Sequence, residues 1–257
     1  MEPLPVSALV LARDASARLE RLLPALAFCR ERVVVVDAAT RDDSRAVAER
    51  AGACVFERAM DGRAGGAPGF GAQRQFALAQ CREPWVLWVD TDEALDARAV
   101  RALEGAVALG RHAGYRLLRR TWFLGRRIDH CGWSGERVLR LFRRERARFD
   151  EAAVHEQVRI DGMVGDLEGT LEHHSYDSWA ECRAKLVHYA AAGAAEARRR
   201  GRRAGPLDVL VRPPARFARM YVLQAGFLDG AHGVAVCALA AAQVLLKYAE
   251  LWAEERA

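Results

Sequence analysis

Trp85-Val86-Leu87-Trp88-Val89-Asp90-Thr91-Asp92-Glu93 is the stretch whose reading decides the fold. Five apolar residues in a row describe a strand buried on both faces, which belongs in a parallel sheet covered by helices. Ligands bind such sheets at the carboxyl ends of the strands. Three carboxylates within four positions therefore fall where chemistry is expected, and Asp90-x-Asp92 has the hard oxygen ligands that a divalent cation takes. The competing reading is a strand, a solvated turn and a helix start, which also favours acids. Glu93 suits a helix start at least as well as a ligand site.

The surrounding chain repeats the pattern. Val6 to Leu11 is an apolar strand, Ser16 to Phe28 has helical periodicity, and Val33-Val34-Val35-Val36-Asp37 is a second buried strand ending in an acid. A helix around Val47 and Ala48 and a short strand from Ala53 to Phe56 follow. This βαβα opening predicts a parallel sheet with right-handed crossovers. No glycine-rich phosphate fingerprint follows the first strand, which argues against a dinucleotide fold or a P-loop. Asp61 to Gly71 reads as a loop, Gln73 to Cys81 as a helix, and Asp96 to Leu109 as another. Beyond Gly114, strands are expected at Tyr115–Arg120 and Val138–Arg143, with short strands and loops over 150–160, 164–167 and 170–174. Helical patterning returns from Trp179 to Arg200.

The 257 residues are half hydrophobic and carry a net charge of +5, enough for a sizeable core and suited to an anionic ligand or membrane surface as well as to nucleic acid. Six scattered cysteines show no zinc spacing and read as reduced core residues of a cytosolic protein. The start lacks the features of a signal peptide. The longest uncharged apolar run, 233–246, falls short of the ~20 residues of a spanning helix, so a transmembrane protein is not expected. Over 207–252, arginines 212, 216 and 219 flank Phe217, Met220, Tyr221 and Leu223. Such a segment either lies on an anionic membrane or packs its apolar face on the body of the protein.

Several residues are chemically suited to a site. Asp37 can accept bonds from a ribose or base, and Arg74, after a glycine-rich loop, can pair with a diphosphate. In Cys131-Gly132-Trp133-Ser134-Gly135-Glu136, the indole offers a face for a sugar ring and the carboxylate suits a general base. His155-Glu156 and His173-His174 can bind phosphate or metal, or satisfy core hydrogen bonds.

Taken in order, these motifs resemble the inverting family-two glycosyltransferases, in particular the branch with the lipopolysaccharide-core β-glucosyltransferases. The matching residues are Asp37 with Thr40 and Asp42-Asp43; Gly71-Ala-Gln73-Arg74; Asp90-Thr-Asp92-Glu93; Phe123-Leu-Gly125-Arg126; Gly132-Trp133; Arg140-Leu-Phe-Arg-Arg144; Val154-His155-Glu156; His173-His-Ser-Tyr176; and Gly226-Phe-Leu-Asp229-Gly230 with Gly233 and Lys247-Tyr248. The resemblance implies an α/β GT-A fold, a mixed but mainly parallel sheet flanked by helices. That domain would cover 1–200, with a nucleotide-sugar half (1–110) and an acceptor half (111–200), before a basic, apolar helical region at 201–257.

The resemblance also implies roles. Asp14, Asp37, Gln73, Arg74 and Asp90 would bind the nucleotide-sugar, a UDP-sugar by family, and Asp92 would hold Mg²⁺ or Mn²⁺. Glu136 stands where the family has Asp and is the first choice for the base, with Glu156 second. Trp133, Arg140, His155 and His173 would contact the acceptor or sugar. The implied partner is a glycolipid acceptor at the cytoplasmic leaflet of the inner membrane, with no nucleic acid. Ala12-Arg13-Asp14 replaces the family's Asn-Glu-Glu, which keeps a noncatalytic nucleotide-sugar-binding scaffold as the alternative. A phosphatase using Asp90 as nucleophile would need supporting lysine and Ser/Thr motifs, and the two lysines, Lys185 and Lys247, lie far along the chain.

Overall fold

The computed structural model describes residues 2–59, 70–149 and 158–254. Its strands and helices, in chain order, are β1 (Leu4–Ala12), α1 (Ser16–Ala25), β2 (Cys29–Asp37), α2 (Ser44–Arg50), β3 (Cys54–Arg58), α3 (Phe70–Gln80), β4 (Trp85–Trp88), β5 (Glu93–Leu95), α4 (Ala97–Leu109), β6 (Gly114–Phe123), β7 (Arg126–Ile128), β8 (Arg137–Arg143), β9 (Ala147–Phe149), β10 (Val158–Ile160), β11 (Val164–Tyr176), α5 (Trp179–Arg199), α6 (Pro206–Ala218) and α7 (Gly230–Glu254). A π turn (Arg219–Leu223) and a 3-10 turn (Gly226–Asp229) join α6 to α7.

The main sheet runs β3-β2-β1-β4-β8-β6-β11-β5, with β7 paired to β6. Strands β3, β2, β1 and β4 are parallel, and β8 enters antiparallel to both β4 and β6. Alternate residues of the parallel strands feed two cores. Val6, Ala8 and Val10 join Val34, Val36 and Leu87 beneath α1, α2 and α4. Leu9, Val33, Val35, Val86 and Trp88 pack with Ala77 and Leu78 of α3 and with Phe142 and Phe149. Two covered faces explain the unbroken apolar runs in the sequence. The chain order moves outward from β1 to β2 and β3 on one side and crosses to β4 on the other, so the carboxyl ends of β1 and β4 flank a switch point.

The chain forms two compact units, residues 1–119 with 137–172, and 120–136 with 173–257. Residue 200, where the basic run suggests a boundary, lies inside the second. That unit's core gathers Phe123, Ile128, Cys131, Met220 and Val236, with a further cluster of Ala194, Ala197, Tyr248 and Leu251.

Several local expectations change. Glu93 opens a short strand, not a helix; the helix start belongs to Asp96, whose carboxylate accepts from Ala99 N at 2.7 Å. Residues 164–176 form one long strand rather than separate pieces. Helix α1 stops at Ala25, just after Pro24, short of Phe28. Helix α3 begins at Phe70, so Gly71 is helical; the rest of the expected loop, and residues 150–157, lie outside the described residues. Cys54 is exposed while the other five cysteines are buried and free.

Candidate active site

Beyond the end of β4, in the first unit, charge converges on one indole. The Arg74 guanidinium lies 4.1 Å from the Trp88 ring centroid and that of Arg140 lies 4.0 Å from it. Both cations gain from the ring's negative face. Trp88 Nε1 donates to Asp90 Oδ1 at 3.0 Å. Arg74 Nη2 reaches the same oxygen at 3.5 Å, and Arg140 Nη2 donates to Asp90 Oδ2 at 3.1 Å. Arg140 also donates to Glu93 Oε1 at 2.6 Å. The turn is closed reciprocally, with Asp90 N donating to Glu93 Oε2 and Glu93 N donating to Asp90 O, both at 3.0 Å.

Two sequence expectations are corrected here. Glu93 has a fully buried side chain, and Arg140, expected to meet an acceptor, is 4% exposed. Arg140 Nη2 donates to two carboxylates, so in this structure the guanidinium serves the acidic turn. Burial raises the Glu93 carboxyl, opposed by Arg140. Burial alone would lower the Arg140 guanidinium, but Glu93 and Asp90 hold it above its ordinary value. A buried ion is kept only when it is paired, and this pairing fixes Asp90 at the sheet edge with part of its carboxylate solvent-accessible.

The other donor-side residues are held less uniformly. Asp37 is buried at the end of β2; its Oδ1 caps a turn from Ala39 N, and its Oδ2 meets Arg13 Nη1 at 3.2 Å. Arg13 is half exposed, so it is the solvent-facing member of that pair. Asp14 adopts a left-handed conformation (φ 45°) and accepts from Arg41 N at 2.7 Å. Gln73, expected at the donor, is fully buried and its amide donates to Ala59 O, so it ties α3 to the end of β3. Asp92 is partly exposed at the turn.

In the second unit, Trp133 stacks on Tyr176 (centroids 6.2 Å apart, planes 20° apart) and sits edge-on to Phe123. Glu136 is exposed three residues later. His173 lies 3.0 Å through Nδ1 from Ser175 Oγ. His155 and Glu156 lie outside the described residues. The loop before Trp133 is anchored by Asp229, only 6% exposed, whose carboxylate accepts from Asp129 N (3.2 Å) and His130 N (2.9 Å) and lies 3.1 Å from His130 Nδ1. The sequence carried Asp229 only as a motif letter and offered Glu93 as a helix start. Their partners lie 99 and 47 residues away in sequence, so spacing could not reveal these roles.

The lipopolysaccharide core biosynthesis glycosyltransferase LpsC of Rhizobium meliloti (strain 1021) is 30% identical over 260 residues, spanning 96% of this chain and 94% of that protein. The chain belongs to the glycosyltransferase family of LpsC. An uncharacterized glycosyltransferase of Rickettsia typhi is 22% identical over 89% of this glycosyltransferase and 80% of its own length. Among solved structures, residues 1–349 of S. aureus TarS match at TM-score 0.46 and 14% identity, covering 97% of this chain and 92% of that one. Glucosyl-3-phosphoglycerate synthase from Mycobacterium tuberculosis, solved with Mn²⁺, UDP and glucosyl-3-phosphoglycerate, matches at TM-score 0.38 and 18% identity over 55% of this chain and 57% of its own. No family model matches. The mixed, mainly parallel sheet flanked by helices is the GT-A arrangement that the sequence predicts for this glycosyltransferase.

Among the described residues, no group of three or more His, Cys, Asp or Glu side chains is placed to hold a metal ion. A cation completed by substrate oxygens needs only one or two protein carboxylates. Asp90 and Asp92, partly exposed on one turn, match that donor set.

Proposed function

We propose that this glycosyltransferase moves a hexose, with glucose from UDP-glucose as the first choice, onto a lipopolysaccharide-core or related cell-envelope glycolipid with inversion at the anomeric carbon. The observation that carries the reading is the Asp90 group. A carboxylate at a parallel strand's carboxyl end is held rigidly by Trp88 and Arg140 beside a second guanidinium, Arg74. Such an edge suits a nucleoside diphosphate, and the name of LpsC supplies the acceptor class.

In this reading Asp37 and Asp14 take the nucleoside side of the donor, Arg13 swinging off Asp37 as the ligand enters. Asp90 and Asp92 would hold Mg²⁺ or Mn²⁺, which offsets the charge that develops on the departing diphosphate. Arg74 adds a cation there, its 3.5 Å contact with Asp90 being the longest of that carboxylate's pairs. Trp133 and His173 orient the acceptor sugar. Glu136 accepts the proton of the acceptor hydroxyl as that oxygen bonds to the anomeric carbon and the bond to the diphosphate oxygen breaks. Glu156 is the second candidate for the base. The glycolipid would be met at the cytoplasmic leaflet of the inner membrane, with the enzyme attached peripherally through its C-terminal region.

A thermal-shift panel of nucleotide-sugars with and without Mn²⁺ tests the donor side. UDP-glucose should stabilise the protein only with metal, and Asp92→Ala should abolish that shift. Stabilisation unaffected by metal or by Asp92→Ala would overturn the metal assignment. Glu136→Gln should lose at least about 100-fold in turnover while keeping donor binding; near-normal turnover would move the base to Glu156.

A further inference from the structure

Helix α6 carries two apolar faces, and only one of them is used by the fold. Residues on a helix advance by about 100° each. Val209, Pro213 and Met220 share one arc and turn inward; Pro213 and Met220 are buried. Leu207, Leu210, Val211, Pro214, Ala218 and Val222 share a different arc, roughly 120° wide, and every one of them is exposed, Leu207 at 74% and Leu210 at 70%. Arg212, Arg216 and Arg219 run along the border between the two arcs, and all three are exposed. Arg202 and Arg203, also exposed, lie just before the helix.

A continuous exposed apolar stripe bordered by guanidinium groups is the pattern of a helix lying flat in a bilayer interface. We infer that the outward face of α6, continued by the π turn, is the surface that docks this enzyme on an anionic lipid leaflet. The helix would lie in the plane of the headgroups with its stripe in the acyl boundary. This deepens the glycolipid reading above and rests on it.

Two other arrangements fit the structure less well. Helix α7, with the turn before it, is long and apolar enough to cross a membrane by length and composition. Yet Val236, Cys237, Tyr248 and Leu251 of α7 are buried in packed clusters, with Ala194 and Ala197 of α5 beside the last two. Crossing a bilayer would strip those contacts. A second copy set on the α6 stripe would bring a row of arginines against a similar row, and Asp208, the one acid of α6, is already paired with Arg212 at 2.5 Å. Anionic headgroups complement that row instead.

Cosedimentation of the full chain with phosphatidylcholine vesicles, with and without phosphatidylglycerol, tests the surface. Binding should require the anionic lipid and weaken in high salt. Leu210→Asp with Val211→Asp should lower it by roughly tenfold or more, since apolar insertion is lost. Arg216→Ala with Arg219→Ala should lower it on the order of tenfold, on the anionic vesicles only. UDP-glucose thermal shifts that remain normal in these variants establish that they are folded and separate this test from the donor-site one. Undiminished vesicle binding by Leu210→Asp/Val211→Asp would overturn the inference. So would binding lost only in the α7 variant Leu245→Asp/Leu246→Asp. Absence of vesicle binding by the unaltered chain would overturn it too, including the case where light scattering shows a dimer that Leu210→Asp splits.

Discussion

Trp88 links the hydrophobic core to the charged edge. Its ring packs edge-on to Phe149 at 5.4 Å while its faces receive Arg74 and Arg140 and its N–H reaches Asp90. Phenylalanine would keep the ring but remove the N–H. Trp88→Phe is expected to cost about 1 kcal/mol of stability and to weaken UDP-sugar binding in a titration, because Asp90 loses one of the groups that orient it. Arg140→Met is expected to be far worse, roughly 3–5 kcal/mol in urea unfolding, because Glu93 is left as a buried, unpaired charge. The double variant Arg140→Met/Glu93→Gln should recover much of that loss. In the single variant only the bond from Asp90 N is left to oppose the burial that already raises the Glu93 carboxyl. A carboxyl raised on folding binds more protons in the folded state, so the Arg140→Met protein should become more stable as pH falls toward the ordinary carboxylate range.

At the scale of elements, single carboxylates tie together segments distant in sequence. Asp42 accepts from Ser16 N at 2.8 Å and from Ser44 N at 3.0 Å, holding the starts of α1 and α2 together. Against the opposing effect of its partial burial, hydrogen bonds from Ser44 and Ser16 lower its carboxyl from 3.8 to about 2. A carboxyl lowered on folding binds fewer protons when folded, so its contribution is complete above about pH 4 and is lost as pH falls toward 2. Asp42→Asn should flatten that part of a stability-versus-pH curve. Asp229 plays the comparable role for the Trp133 loop. Asp229→Ala is expected to cost on the order of 1–2 kcal/mol, because the part-buried N–H groups of residues 129 and 130 lose their acceptor, and Asp229→Asn should cost less. Gly233 permits the crossing beside it, since a Cβ there would stand 1.9 Å from Gly226 O. Gly233→Ala should lower stability by about 1–3 kcal/mol or more in the same assay. Those two glycines and Asp229 belong to the C-terminal motif of the sequence, and within it Asp229 supports the Trp133 loop.

For the molecule as a whole, ligand linkage offers the broadest check. A donor present at 100 times its dissociation constant stabilises the folded state by about 2.7 kcal/mol. Chemical unfolding with saturating UDP-glucose and Mn²⁺ should show a gain of that order in the unaltered chain and almost none in Asp92→Ala. A comparable gain from UDP-glucose without metal would count against the pairing of donor and cation. The net charge of +5 works in the same direction for every anionic partner, and binding to donor or vesicle should weaken with added salt.

The parallel sheet and the place of its acids were legible in the sequence, because strands buried on both faces must be apolar throughout and ligand sites fall at their carboxyl ends. The family was legible too, from motifs distributed along most of the chain. Local reading failed where a residue's partner is remote. Glu93 looked like a helix start until β8 brought Arg140 to 2.6 Å from it, and Gln73 looked available to a ligand until α3 packed it against Ala59. The sequence marked Phe217, Met220 and Tyr221 as the apolar residues among the arginines, but these pack inward, and the exposed stripe of α6 is Leu207, Leu210, Val211 and Pro214. Sequence periodicity reports that a surface is apolar. Only the tertiary structure decides whether protein or solvent meets it, because that depends on elements folded together from far along the chain.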